Sequence, residues 1–150
     1  MCSSDLNFRL VDGVQKRKIF TEKILKRNLE LASLSHQTHH LPSTVIFYSL
    51  PGVVTTLQPA FERAIIPHVR AGDFAAQLDF GFPNLAVLLP LTGERIAQHG
   101  VAAALGQLAK DPELSRSVQH RMFTLDQWEN GENLWQELID HAKTTRCSAV

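Results

Sequence analysis

Between Val69 and Pro90 the chain reads VRAGDFAAQLDFGFPNLAVLLP, and this stretch restricts the fold more than any other. A glycine-containing turn leads into a segment from Asp73 to Phe80, a second turn spans Gly81 to Asn84, and Leu85 to Leu89 is apolar at every position. Two strand-like runs joined by turn-forming residues predict an antiparallel hairpin with a longer loop. Thr44 to Leu50, closed by Pro51 and Gly52, carries enough β-branched and aromatic residues to be a further buried strand. Such strands need a sheet, and the sheet needs helices to cover it.

Helical periodicity supplies them. Phe20, Ile24, Leu25, Leu31 and Ala32 recur at helical spacing from Lys18 to Leu34, opposite Lys23, Lys26, Arg27 and Glu30, and SLSHQTHHLPS then ends the helix. Pro59 suits the first position of a helix running to about Val69, with Ala60, Ala64, Ile65 and Val69 toward a core and Pro67 weakening its end. Thr92 is a cap for a helix from Glu94 to Ala109, whose stripe is Ile96, Val101, Ala104, Leu105 and Leu108, and KDPEL breaks it. An alternating strand from Ser117 to Leu125 and a last helix from Glu132 to Lys143 complete the chain. After the opening helix the order is βαββαβ, so the expected class is α+β, a ferredoxin-like core with an N-terminal amphipathic helix, a C-terminal helix, and helices on one face of an antiparallel-rich sheet.

With 150 residues, 44% hydrophobic and 20% charged, the chain suits one globular domain, and a formal net charge of zero gives no general pull toward nucleic acid or anionic lipid. No apolar run approaches the roughly 18 residues of a membrane span, and no secretory signal pattern opens the chain, so the expected home is the cytoplasm. Cys2 and Cys147 lie outside any metal-ligand spacing and read as reduced, incidental thiols. The opening MCSSDL resembles a translated adapter end, which makes residues 1–11 an expected non-native or disordered start, 12–145 the domain, and 146–150 a tail. No internal repeat or linker is visible.

The stretch RAGDFAAQL, followed by a tight turn and LAVLLP, resembles the centre of the GGDEF domain family, the diguanylate cyclases, in which an Arg-x-x-Asp motif that binds the product precedes the signature turn. DGVQKRKIFTEKI is similar to the family's opening segment, STVIFYSLPG to its first core strand, and RMFTLDQWENGENLWQELIDHAK to its closing strand and helix. In the family, Mg2+ ions are held by an aspartate at the end of the first strand and an acidic residue of the signature turn, since hard cations bridging phosphates need carboxylate oxygens. Tyr48, Ser49, Leu50 and Pro51 stand at the first place, and the turn reads Asp79, Phe80, Gly81, Phe82, Pro83, Asn84 and is longer. The segment between the first strand and Arg70 is shorter and lacks the Asn and Gly-His residues that usually meet the substrate guanine. The resemblance therefore implies a degenerate module with no cyclase activity, no metal site and no cofactor.

Arg70 and Asp73 remain. A guanidinium can pair with guanine O6 and N7, while a carboxylate can accept from N1–H and the exocyclic amine. The resemblance implies cyclic di-GMP as ligand, bound through Arg70 and Asp73, with Arg63, Arg95 or a partner chain standing in for the family's second arginine, whose place holds Ala102 to Ala104. Similar degenerate modules serve as receptors in exopolysaccharide production and biofilm signalling, working through an upstream domain, a protein partner or a homodimer. The alternative is a protein-interaction or dimerisation scaffold without nucleotide ligand. RNA binding on the sheet would need exposed aromatics and a basic face, and neither is apparent. His36, His39 and His40 fall in a helix-ending loop and read as structural or solvent-facing, Asp79 as a solvated loop carboxylate, and Trp128 and Trp135 as anchors of the last helix. The basic run QKRK reads as a solvated face, its functional alternative being contact with a partner or ligand phosphates.

Overall fold

The structure, a computed structural model, describes residues 7–11, 17–125 and 131–148. Its sheet has six strands: β1 (Phe8–Leu10), β2 (Lys18–Phe20), β3 (Thr44–Ser49), β4 (Phe74–Ala76), β5 (Asn84–Leu89) and β6 (Gln119–Thr124), in the order β1-β2-β4-β5-β3-β6. The last four positions, β4-β5-β3-β6, form the ferredoxin-like core, with β5 and β6 both antiparallel to β3 and β4 antiparallel to β5. Five helices accompany it: α1 (Glu22–His39), α2 (Gln58–Ile65), α3 (Glu94–Leu108), α4 (Pro112–Ser115) and α5 (Gly131–Ser148). None of the described helices is long and apolar enough to cross a membrane.

All six residues of β3 and all six of β5 are buried. Side chains of a strand alternate between its two faces, so this pattern requires cover on both. One core lies under α2, α3 and α4 and takes Ile46, Tyr48, Leu85, Val87, Phe61, Ile65, Ala97, Val101, Ala104 and Leu108. The other, under α1 and α5, takes the alternate residues Val45, Phe47, Ala86 and Leu88 together with Leu25, Leu29, Phe123, Leu134, Trp135 and Leu138. Helices therefore cover both faces, a correction to the one-faced arrangement that the element order suggests.

The N-terminal region differs most from expectation. Lys18 to Phe20 form a strand and not the start of a helix; β1 and β2 make a small antiparallel hairpin that joins the edge of the core by a parallel pairing of Phe20 with Ala76. Thr21 caps α1 from its hydroxyl to the Ile24 N–H, and the buried stripe is Leu25, Leu29 and Ala32, while Leu31 is exposed. The helix runs on through His36 and His39, and His40 closes it in a left-handed conformation with its N–H on the His36 carbonyl.

Two further assignments change. Gly93, not Thr92, stands at the N-terminus of α3, and Ile96 is 63% exposed while its neighbour Ala97 is buried. The helix after Pro59 is right in place, but it tightens into a 3-10 turn at Ile66–His68, where Pro67 removes a donor. Asp73 to Phe80 is strand only over Phe74–Ala76. Trp135 is buried on α5, with the Lys26 ammonium 5.8 Å from its ring centre, whereas Trp128 lies outside the described residues.

Phe47 is fully buried at the centre of β3. Phe47→Ala is expected to cost about 3–5 kcal/mol in urea unfolding, and Leu34→Ala, on the exposed side of α1, less than about 0.5 kcal/mol.

Candidate functional site

The loop between the 3-10 turn and β4 is built by its own hydrogen bonds. The Val69 N–H donates to the Ile66 carbonyl at 2.9 Å and the Asp73 N–H to the Arg70 carbonyl at 3.0 Å, closing a tight turn over Ala71 and Gly72. That turn points the side chains of Arg70 and Asp73 at each other. Asp73 Oδ2 accepts from the Arg70 backbone N–H at 3.0 Å and from its Nε at 3.1 Å, and Oδ1 accepts from Nη2 at 3.0 Å. The same Nη2 donates to the Thr92 hydroxyl, which in turn donates to the Pro90 carbonyl at 2.9 Å. Thr92 is thus a bracket for Arg70 across the sheet from β4, and its position in a presumed helix cap hid that role.

The Asp73 side chain is 3% exposed and the Arg70 side chain 54%. The carboxylate is consumed by the arginine, and the arginine is held by Nε and Nη2, with Nη1 making no hydrogen bond among the described residues. A guanidinium carries five N–H donors, and this arrangement leaves some of them for a second partner.

Arg70, Ala71 and Asp73 border a cleft of about 550 Å3, together with Ile66 and Val69 from the 3-10 turn and its end, and Arg17, Lys18 and Phe20 at β2, the second strand of the hairpin. This volume falls within the roughly 300–1,000 Å3 of small-molecule sites. The Arg17 Nη1 donates to the Val69 carbonyl at 2.6 Å, and the Lys18 ammonium lies 4.4 Å from the centre of the Phe8 ring. Of the basic run, Arg17 and Lys18 therefore lie beside the cleft, just before and at the start of β2 and not on a helix face, while Gln15 and Lys16 lie outside the described residues. Neither of the expected accessory arginines lines this cleft. Arg63 borders a separate hollow of about 270 Å3 between α2, α3 and α4, and Arg95 is exposed on the first turn of α3.

The longer turn is held differently. Asn84, fully buried, accepts at Oδ1 from the Leu78 N–H at 2.8 Å, and its amide donates to the carbonyls of Leu78 at 2.8 Å and Phe82 at 2.9 Å. Its backbone is paired with the Gln58 side chain in both directions, at 3.0 Å and 3.1 Å. Gln58 also donates to Glu62 at 2.6 Å, and Glu62, 2% exposed, receives a two-pronged ion pair from Arg9 of β1, which reaches Gln77 as well. Asp79 is exposed at the turn. At the end of β3, Tyr48, Ser49 and Leu50 are buried and supply no carboxylate; burial raises the Tyr48 phenol above its ordinary pKa, and the Ser49 hydroxyl lacks a hydrogen-bond partner. Among the described residues no three His, Cys, Asp or Glu side chains are grouped as a metal site. Gln58, Glu62 and Arg9 were not singled out from sequence, since none belongs to a spaced motif.

No family model matches the chain, and no curated protein does. Solved structures do match. A fragment of PelD from Pseudomonas aeruginosa PA14 in its apo form superposes with a TM-score of 0.64 at 22% identity, over 79% of this chain and 45% of that one. The same fragment in complex with c-di-GMP gives 0.65 at 22% identity, over 83% and 45%. The GGDEF domain of PA1120 (YfiN or TpbB) from Pseudomonas aeruginosa gives 0.67 at 14% identity, over 87% of this chain and 91% of that domain. The fold is GGDEF-like. The chain spans less than half the length of the PelD fragment.

Asn84 holds its turn by three side-chain bonds to main chain that has no water to turn to. Asn84→Ala is expected to destabilise by about 3 kcal/mol, read as a fall in the urea midpoint with an unchanged slope.

Proposed function

We propose that this chain is a cyclic di-GMP receptor module of GGDEF-like fold that has no cyclase activity. One observation carries the reading: Arg70, locked by a buried Asp73, stands half-exposed at the mouth of a cleft whose other charged residues, Arg17 and Lys18, are cations. With Nε and Nη2 of the guanidinium spent on Asp73 and Thr92, Nη1 is left to donate to the O6 or N7 of a guanine, and it does so without losing rotamer freedom on binding. The ligand's phosphodiesters bring the opposite charge to the basic wall. The relation to PelD, one structure of which is in complex with c-di-GMP, supports the same ligand class.

In this reading Asp73 acts chiefly by orienting Arg70. A direct hydrogen bond from the guanine N1–H to Asp73 requires Arg70 to release one of its bonds to that carboxylate, so the acid reads the base only by exchange. The absence of catalysis rests on chemistry. Tyr48 to Pro51 offer no hard oxygen anion to Mg2+, and the nearby buried acid, Glu62, is already paired with Arg9 and Gln58. Signalling then passes by contact with a partner or an adjoining domain, in the manner of regulators of exopolysaccharide production.

Isothermal titration with cyclic di-GMP tests this. Wild type is expected to bind, and Arg70→Ala combined with Asp73→Ala to weaken binding by about 10- to 100-fold, the worth of a hydrogen bond from a charged group. Equal affinity of the double variant would overturn the site, and a wild type indifferent to all guanine nucleotides would leave an interaction scaffold. Incubation with GTP and Mg2+ is expected to yield no cyclic dinucleotide.

A further inference from the structure

The cleft has two walls of different chemistry. One, from Ile66 to Asp73, presents the Arg70 clasp; the other is the beginning of β2, where Arg17, Lys18 and Phe20 line the same space. Among the described residues Asp73 is the one acid lining the cleft, and it is neutralised by Arg70. Among the described residues, neither Arg17 nor Lys18 is paired with a carboxylate. Two like charges beside a third arginine, facing a shared hollow, repel one another, and an anion in the hollow relieves that repulsion.

Their settings suit grip and not mere solubility. Arg17 is anchored by one donor on the Val69 carbonyl at 2.6 Å, which fixes its guanidinium against the opposite wall while other N–H groups stay unspent. Lys18 rests its ammonium over Phe8 and is exposed. Phe20, half-buried against Phe74 with ring centres 5.3 Å apart, adds an apolar surface for a purine or ribose.

We propose that Arg17 and Lys18 are the phosphate-gripping half of the site, and that a bound dinucleotide clamps the β1–β2 hairpin onto the core. This rests on the receptor reading above and extends it to a wall that the Arg70–Asp73 pair does not include. The hairpin's hydrogen-bonded link to the core sheet is a single paired position, Phe20 with Ala76; Val11 and Ile19 bury in the core, and Arg9 on Glu62 and Gln77 and Arg17 on Val69 add polar ties. A ligand spanning both walls adds a bridge where the sheet supplies little. Occupancy of the cleft is thereby read out as the fixing of the hairpin, which leads directly into α1 through Thr21.

Titrations of wild type, Lys18→Gln, Arg17→Gln with Lys18→Gln, and Arg70→Ala with cyclic di-GMP at two salt concentrations test the proposal. The double hairpin variant is expected to bind about tenfold more weakly at low salt and to lose much of the salt dependence, because ion contacts to phosphate are screened. Lys18→Gln alone should weaken binding by about threefold without moving the thermal midpoint, since an exposed lysine contributes little to folding. Amide exchange at Lys18–Phe20 should slow when the dinucleotide saturates wild type. If wild type binds, Arg70→Ala loses affinity, and the hairpin variants match wild type in affinity and salt slope, the grip is refuted while the receptor reading stands. Unchanged exchange at saturation refutes the clamp. A wild type that binds no cyclic di-GMP removes the receptor reading and this extension together.

Discussion

The double-sided burial of β3 and β5 governs the rest of the molecule. Strands whose every residue is out of water cannot lie at an edge or face solvent, so they occupy adjacent central positions and demand a helical layer above and below. With those layers in place, β4 has only the flank of β5 left to it, and the loop that feeds β4 emerges at the rim of the sheet. The Arg70–Asp73 turn stands there because the core leaves it nowhere else. Its residues pack little and bond much, which is how a rim loop can hold a fixed shape without contributing to the core.

Two turns flank the β4–β5 hairpin, and they have reached opposite solutions. At Arg70 the polar groups are clasped yet half in solvent, and donors remain for a second molecule. At Asn84 the amide and carboxylate are clasped and buried, joined in a chain from the exposed Arg9 through Glu62 and Gln58 to the loop. The first arrangement can accept a ligand; the second has satisfied itself.

Legibility in the sequence followed the strength of local signals. Thr44–Ser49 and Asn84–Leu89 were readable because apolar, β-branched runs bounded by proline and glycine have few other uses, and α3 because its buried positions recur on one face. The GGDEF-like fold was likewise legible from the central stretch. Helices on both faces were implied by those same unbroken runs, a cue outweighed by the habit of the βαββαβ order. The β1–β2 hairpin was not readable: three-residue strands carrying Arg9 and Lys18 acquire strand geometry only by pairing with each other and with β4, a tertiary effect. Thr92 looked like a cap because hydroxyls before helices usually are, but the guanidinium of Arg70 takes its oxygen. Arg63 and Arg95 were near Arg70 in sequence order or helix position, yet neither lines the cleft. Arg17, distant by more than fifty positions, is the one that arrives.

A loop whose course is dictated by a single amide has some freedom of spelling. Since Asn84 reaches the main chain of Leu78 and Phe82, the exposed Asp79 can be exchanged without disturbing β4 or β5, whereas Phe80 packs on the core and Gly81 holds a φ of 80°. A short peptide or a tag inserted at that bend would be carried by the fold as a passenger, at the far end of the hairpin from the arginine clasp.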